Sequence, residues 1–255
     1  MNYTSISNGN AGVNLSHLFR IYWLETKFEW LKTIRNPAFS LPAILFPALF
    51  YLFFGVLMNQ GNVQASIYLM CTYGVFGVMG PALFSFGSGI AVERGRGWLD
   101  IKEASPMPAS AQIISRVFVS MGFSSIILLI LGCLAFLVAG VSLNLGQSTL
   151  LLVLLILGGL PFCLMGLCLG FLLKAESAPA VVNFIYLPMA FLSGLWLPIN
   201  MLPSFLQSAA YYLPSFHLSQ LALKVTGQDL GGAVEMHVGM LALFSVLFAI
   251  IAVVV

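Results

Sequence analysis

The sequence predicts an all-α integral membrane protein, and three observations lead there. Of the 255 residues, 60% are hydrophobic and 7% charged, with a mean hydropathy of +1.02, more apolar surface than a water-soluble domain can hide. The apolar stretches reach the ~20 residues that a helix needs to cross a bilayer. They lack the two-residue alternation of a membrane β-barrel.

Six spans are expected, at 37–58, 66–92, 110–140, 149–173, 179–197 and 236–255, each bounded by charge, turn residues or proline. Residues 1–13 are polar and uncharged, a tail and not a signal peptide. Residues 14–36 read as a helix that Asn36 and Pro37 interrupt. Its Phe19, Trp23, Trp30 and Ile34 form a charge-free stripe, while Ile21, Leu24, Phe28 and Leu31 share a face with Arg20, Lys27 and Arg35. That pattern fits a helix lying in the membrane interface, tryptophans at headgroup level.

Residues 198–227 are apolar but cut by Pro198, Pro203 and Pro214 into pieces too short to span. They predict an outer re-entrant hairpin, one half-helix from Ser204 to Leu213 and a second with Ser215 as N-cap and Gly227 as C-cap. Such backbone survives near lipid only when packed on protein or lining a wet cavity. His217 reads there as a lone packing histidine.

Placement of basic residues sets the topology. Arg20, Lys27, Lys32, Arg35, Arg94, Arg96, Lys102, Arg116 and Lys174 fall on one side of the spans and Lys224 on the other, which puts both termini in the cytoplasm. Gly74, Gly77 and Gly80, Ser85 with Gly89, and Gly166 with Gly170 recur at helix-packing spacing. Cys71, Cys133, Cys163 and Cys168 lie in apolar segments without metal-ligand spacing, so packing is expected and no metal site. No GxxxxGK[ST] loop occurs, which excludes ATP binding by that route. The net charge of +2 says little, since placement of Lys and Arg matters more than their sum in a membrane protein, and no nucleic-acid partner is expected.

One stretch departs from the apolar background. Six of the eighteen charged residues, Glu93, Arg94, Arg96, Asp100, Lys102 and Glu103, fall within eleven positions of ERGRGWLDIKEASP, 93–106. By contrast, 117–173, 177–223 and 236–255 carry no charge, so the spans lack the acidic relay common in ion-coupled transporters. Energy for any transport would enter from outside the membrane domain, through this island.

The run ERGRGWLDIKEASPMPASAQIISRV resembles the loop of ABC-2 type permeases: an acidic residue, Arg, Gly, a short hydrophobic helix, then Ser-Pro. FLSGLWLPINMLPSFLQSAAYYLPSFH is similar to the family's extracellular signature, and the resemblance covers essentially the whole chain. It implies a bacterial cytoplasmic-membrane permease that pairs with a second permease copy and docks two copies of a separate ABC ATPase, which carries the ATP and Mg, to export an amphipathic drug, lipid or lipid-linked glycan. No cofactor is expected in this chain. The loop 93–106 would be the coupling helix and Lys174-Ala175-Glu176-Ser177 a second contact.

Trp98, Leu99 and Ile101 offer an apolar anchor. Glu93, Arg94, Arg96, Asp100 and Lys102, with Lys174 and Glu176, offer charges to a partner. In permeases of this kind the second and fifth spans face each other across the dimer axis. Asn183, Tyr186, Ala190 and Ser193 recur at helical spacing, so Asn183, Tyr186 and Ser193 with Met79 and Phe86 are the expected substrate path, and Phe191, Leu192 and Trp196 its outer gate. The last span departs from the family pattern in reaching Val255 without the basic residues that usually follow.

Two other classes compete: an intramembrane hydrolase using Ser88 with His237, and a channel-like or structural bundle. FGSG around Ser88 lacks the leading glycine of a GxSG motif, and the two side chains are expected at opposite ends of their spans, out of hydrogen-bond reach.

Overall fold

The computed structural model describes residues 15–59, 61–105 and 107–254, which form helices and turns without a strand. The expected tail, 1–13, lies outside them. Among the described residues, five helices are long and apolar enough to cross a membrane: Pro37–Leu57, Val63–Gly95, Ala109–Leu137, Leu145–Leu172 and Val234–Val254.

Helix α1 (Leu15–Ile34) stops before Asn36 and Pro37. Helix α2 (Pro37–Phe50) takes Pro37 in its first turn, where the missing N–H costs nothing, and widens into a π-helix over Tyr51–Leu57. Helix α3 (Val63–Leu83) starts at Asn62, whose side chain accepts from the Ala65 N–H at 3.2 Å. It passes through a π-turn, Phe84–Ser88, into α4 (Gly89–Gly95). Both wide segments begin within four residues of an internal proline, Pro47 or Pro81, where the backbone ladder has lost a donor.

Gly97, at φ +72°, makes the turn into α5 (Trp98–Glu103), a left-handed conformation that favours glycine. There follow α6 (Ala109–Leu137), α7 (Leu145–Leu157) and α8 (Leu160–Leu172). Asn144 and Gln147 form a reciprocal capping box at the start of α7.

Helix α9 (Ala178–Leu192) corrects one expectation. It has 15 residues, about 22 Å of helix against a hydrocarbon core of ~30 Å, because the chain leaves the helix at Ser193 and Gly194 turns it with φ +73°. Trp196 therefore sits in a turn and not on a span. A 3-10 turn, Ile199–Met201, leads to α10 (Ser204–Ala210), α11 (Pro214–Val225) and α12 (Val234–Val254). Leu213, not Ser215, occupies the N-cap of α11; the Ser215 hydroxyl is buried inside the helix, 2.5 Å from that of Ser193.

Helix α3 is the axis of the bundle, buried at nearly every residue from Ser66 to Leu83 and packed on α2, α6, α7, α8, α9 and α11. Close approach to α8 depends on Gly166 and Gly170, where an added Cβ would stand 3.1 Å from the Ala82 carbonyl oxygen and 2.6 Å from that of Phe86. All four cysteines are free, three of them buried; Cys133 is exposed on α6, contrary to the expected packing role. His217 is not alone either: its Nδ1 lies 2.9 Å from Nδ1 of His237 on α12.

Candidate functional site

The charged island sits where α1, α4, α5 and α6 meet, and its base is a buried ion cluster. Arg116 of α6, 2% exposed, places Nη2 2.5 Å from Glu93 Oε2 and Nη1 3.2 Å from Glu29 Oε1. Lys32 donates to both of those carboxylates, and Lys102 bonds Glu25 at 2.7 Å with Glu93 at 3.8 Å. Glu25, Glu29 and Lys32 come from α1, spaced so that all three face the bundle, alongside Tyr22, whose hydroxyl meets Ser110 Oγ at 2.8 Å. Helix α1 thus docks by a polar face and leaves Phe19, Trp23 and Phe28 outward. Trp30 does not share the membrane-facing stripe: its ring lies 5.1 Å from that of Phe123 and fills the space over Gly122.

This geometry divides the expected coupling residues in two. Glu93 is 5% exposed and satisfied inside the protein, so it is no free charge for a partner. Lys102 is drawn to Glu25. Leu99 packs against the core. Arg94 turns its guanidinium onto the carbonyls of Phe171 and Leu173, at the end of α8. That bond seats the loop 173–177 beside α4, where Ala175 packs so closely on Gly95 that a Cβ there would stand 2.5 Å away. The other group faces solvent: Arg96, Trp98, Asp100 and Ile101, with Lys174 and Glu176 of the neighbouring loop. Trp98 is 46% exposed and Ile101 71%. The Arg96 guanidinium lies 5.9 Å from the Trp98 ring centroid, holding the indole by a cation–π contact.

A cavity of about 260 Å³ opens behind this surface, walled by Phe39, Phe84 and Trp98 and by Lys32, Ser88 and Arg116. A second, of about 280 Å³, lies between α6 and α7 around Leu128, Phe136 and Leu151. Its lining hydroxyls, Ser148 and Thr149, are turned back onto their own helix carbonyls.

The expected path residues are not gathered on one open wall. Met79 and Phe86 are fully inside the core. Tyr186 is buried, its hydroxyl donating to the Phe76 carbonyl at 3.0 Å and its ring stacked on Phe76 at 4.7 Å. Ser193 is buried against Ser215, whereas Asn183 points outward with Phe184, Leu187 and Phe191. The expected stripe is therefore split between two faces of α9.

Tyr186 and Trp196 instead belong to a continuous run of ring contacts. It passes from Trp30 through Phe123, Phe39, Phe84, Tyr186 and Phe76 to Trp196 and Phe191, with centroid separations of 4.7 to 6.4 Å. Leu192 is half-buried beside its end. The hydrolase pair is not brought together: Ser88 lies at the island cavity, and His237 is engaged with His217 at the other end of the bundle.

A family model for ABC-2 type transporters matches residues 21–226. The chain belongs to that family. Its similarity extends to "Putative transport permease YvfS" of Bacillus subtilis strain 168, 28% identical over 197 residues that cover 74% of this chain and 78% of that protein. The permease is thus a multi-pass membrane protein and a transport subunit, of a family that works with ABC ATPase partners.

Sequence reasoning missed Glu25, Glu29 and Arg116 as parts of this buried ion cluster. The signal was present: Glu25, Glu29 and Lys32 lie four and three residues apart on one helix, a polar face on a segment otherwise suited to a lipid surface.

Proposed function

We propose that this permease exports an amphipathic substrate, such as a drug, a lipid or a lipid-linked glycan, using ATP hydrolysed by a separate ABC subunit. The proposal places α5 and the loop 174–177 at the cytoplasmic face as one docking surface. The observation that carries it is a pair of exposed apolar side chains, Trp98 and Ile101, on a helix whose base is clamped by the Glu93–Arg116 and Lys102–Glu25 pairs. An exposed indole on a solvated loop is a cost in water, and becomes a gain when it fills a partner's groove. The clamp lets a push on α5 reach α1 and α6 without being absorbed by loop motion.

Two permeases with two ATPases form the working assembly in this reading. The face of α9 with Asn183 among Phe184, Leu187 and Phe191 has no cover within the described residues of the chain, which suits a shared path across a permease pair. Phe191, Leu192 and Trp196 then close the path on the outer side, beside the hairpin of α10 and α11.

The test is co-purification with the cognate ATPase subunit. Replacing Trp98 and Ile101 with Ala should lower recovery of that subunit at least ~10-fold, as expected for two interface anchors, while the permease stays monodisperse. Undiminished recovery and undiminished substrate-stimulated ATP turnover would sink the docking assignment.

A further inference from the structure

Arg116 touches three elements at once. Its Nη2 meets Glu93 of α4 at 2.5 Å, its Nη1 meets Glu29 of α1 at 3.2 Å, and the same Nη1 donates to the Ser85 carbonyl, inside the π-turn of the central helix, at 2.7 Å. Room for the guanidinium exists because residue 89 is glycine; a Cβ there would stand 2.8 Å from Nη1. Nothing in the docking surface requires a buried arginine at this place.

The geometry points to Arg116 as the positioning residue that passes displacement of the charged island into the π-turn of α3. The inference rests on the reading of α5 as the surface on which an ATPase acts. Glu93 stands four residues before Gly97 and is tied to the island helix by Lys102 of α5, 3.8 Å away. In a low-dielectric interior a carboxylate does not leave a guanidinium without dragging it or losing a large attraction. The guanidinium is a rigid fork, so a pull on one arm is felt by the other, which holds Ser85. A π-turn carries one more residue than an α-turn, so if it migrates along the helix when its side-chain donor is withdrawn, the segment it passes is re-registered by that one residue, a rotation of about 100° in all. The segment ahead of it presents Gly74 to Leu155, Gly77 to Ile127 and Gly80 to Tyr186, so rotation would reset the contacts of α3 with α7, α6 and α9 together.

The charges provide a test that separates transmission from folding. Glu25, Glu29 and Glu93 face Lys32, Lys102 and Arg116, so the six side chains form a neutral network. Glu93→Ala or Arg116→Met alone leaves it unbalanced; the two together leave two carboxylates and two cations. The first readout is amide hydrogen exchange over 85–90 in the nanodisc-held chain, without any partner. Each single variant should raise exchange there roughly tenfold or more, the scale of a local opening, and the double variant should stay as high as Arg116→Met. Arg94→Gln, which cuts only the link to α8, should leave 85–90 unchanged. If the double variant returns to wild-type exchange, Arg116 is only a charge-balancing strut and the inference is overturned; so it is if Glu93→Ala leaves 85–90 untouched.

The second readout uses the complex with the cognate ATPase subunit. Exchange over 85–90 should differ between nucleotide-free and ATP-bound wild type, and should not differ in the double variant although the subunit still binds. A wild-type complex whose 85–90 segment ignores nucleotide overturns transmission. Failure of any ATPase subunit to bind the wild type overturns the docking reading instead, and the partner-free readout still decides whether Glu93 reaches the π-turn through Arg116.

Discussion

At the residue scale, eight of the eighteen charged side chains pair with one another. Only Arg96, Asp100, Lys174 and Glu176 of the expected partner-facing charges remain directed outward, while Glu29, Glu93 and Arg116 are buried together. Removing one member of such a cluster strands the others, so Glu29→Ala should cost about 3–5 kcal/mol; a thermal-unfolding midpoint in detergent unchanged from wild type would contradict this. The histidine pair makes a second prediction. A carbonyl can only accept, so His217 Nε2, 3.0 Å from the Tyr211 oxygen, donates to it, and His217 Nδ1 is left to accept from His237. Burial, chiefly, with the neighbouring His237 in support, holds the His217 ring below the ordinary imidazole value against the opposing pull of the Tyr211 carbonyl. A depressed folded value means the unfolded ring binds protons more readily. The stabilising contribution is then complete above the unfolded value near ~6.5 and is lost as pH falls through it toward the folded value. Protection of the 226–233 amides, taken relative to the intrinsic exchange rate at each pH, should fall between pH 7.5 and 5 in the wild type, and His217→Gln, which keeps a donor for Tyr211 but does not titrate, should flatten that dependence.

At the element scale, glycines set how near α3 and α8 come. Gly170→Leu would drive a side chain into the Phe86 carbonyl and Ile90, overpacking worth about 1–3 kcal/mol or more. Gly239→Leu on α12, where nothing stands within 4 Å of the new Cβ, should be neutral. Equal loss of folded yield for both would show that the close contact at Gly170 is not what decides, since leucine is the better helix former at either position. The length of α9 follows from Gly194, since a left-handed residue ends the helix regardless of how apolar Leu195, Trp196 and Leu197 are. Hydropathy alone runs through that point, which is why the sequence reading placed the fifth span too far along. The π-segments escaped it for the opposite reason: Pro47 and Pro81 were legible, but whether a proline kinks, ends or widens a helix depends on what neighbouring helices supply to the freed backbone groups.

At the scale of the whole molecule, the island, the loop 173–177 and α1 are joined into one unit by the bonds of Arg94, Glu93 and Lys102. In the proposed assembly, cysteine at 183 should react with a membrane-impermeant thiol reagent in a nucleotide-dependent manner once native cysteines are removed. Cysteine at 186 or 193, buried within the chain, should not react in any state. Strong labelling at 186 would show that α9 swings away from α3 during the cycle. Mass measurement of the nanodisc-held complex should give two permeases with two ATPases, and a single permease would remove the shared path.

The amino-acid sequence by itself determined the class of molecule, because long uncharged runs admit no other solvent than lipid. It also determined where the polar island lies and which motifs place the chain among ABC-2 permeases, since both are properties of linear order. Only the tertiary structure decided which charges look outward. Glu93 and Trp98 are five residues apart and equally conspicuous in the sequence, yet one is buried and one exposed. The difference arises because a carboxylate taken out of water must find cations, and those cations come from Lys32 and Arg116, residues on helices α1 and α6 whose meeting at this point no local pattern specifies.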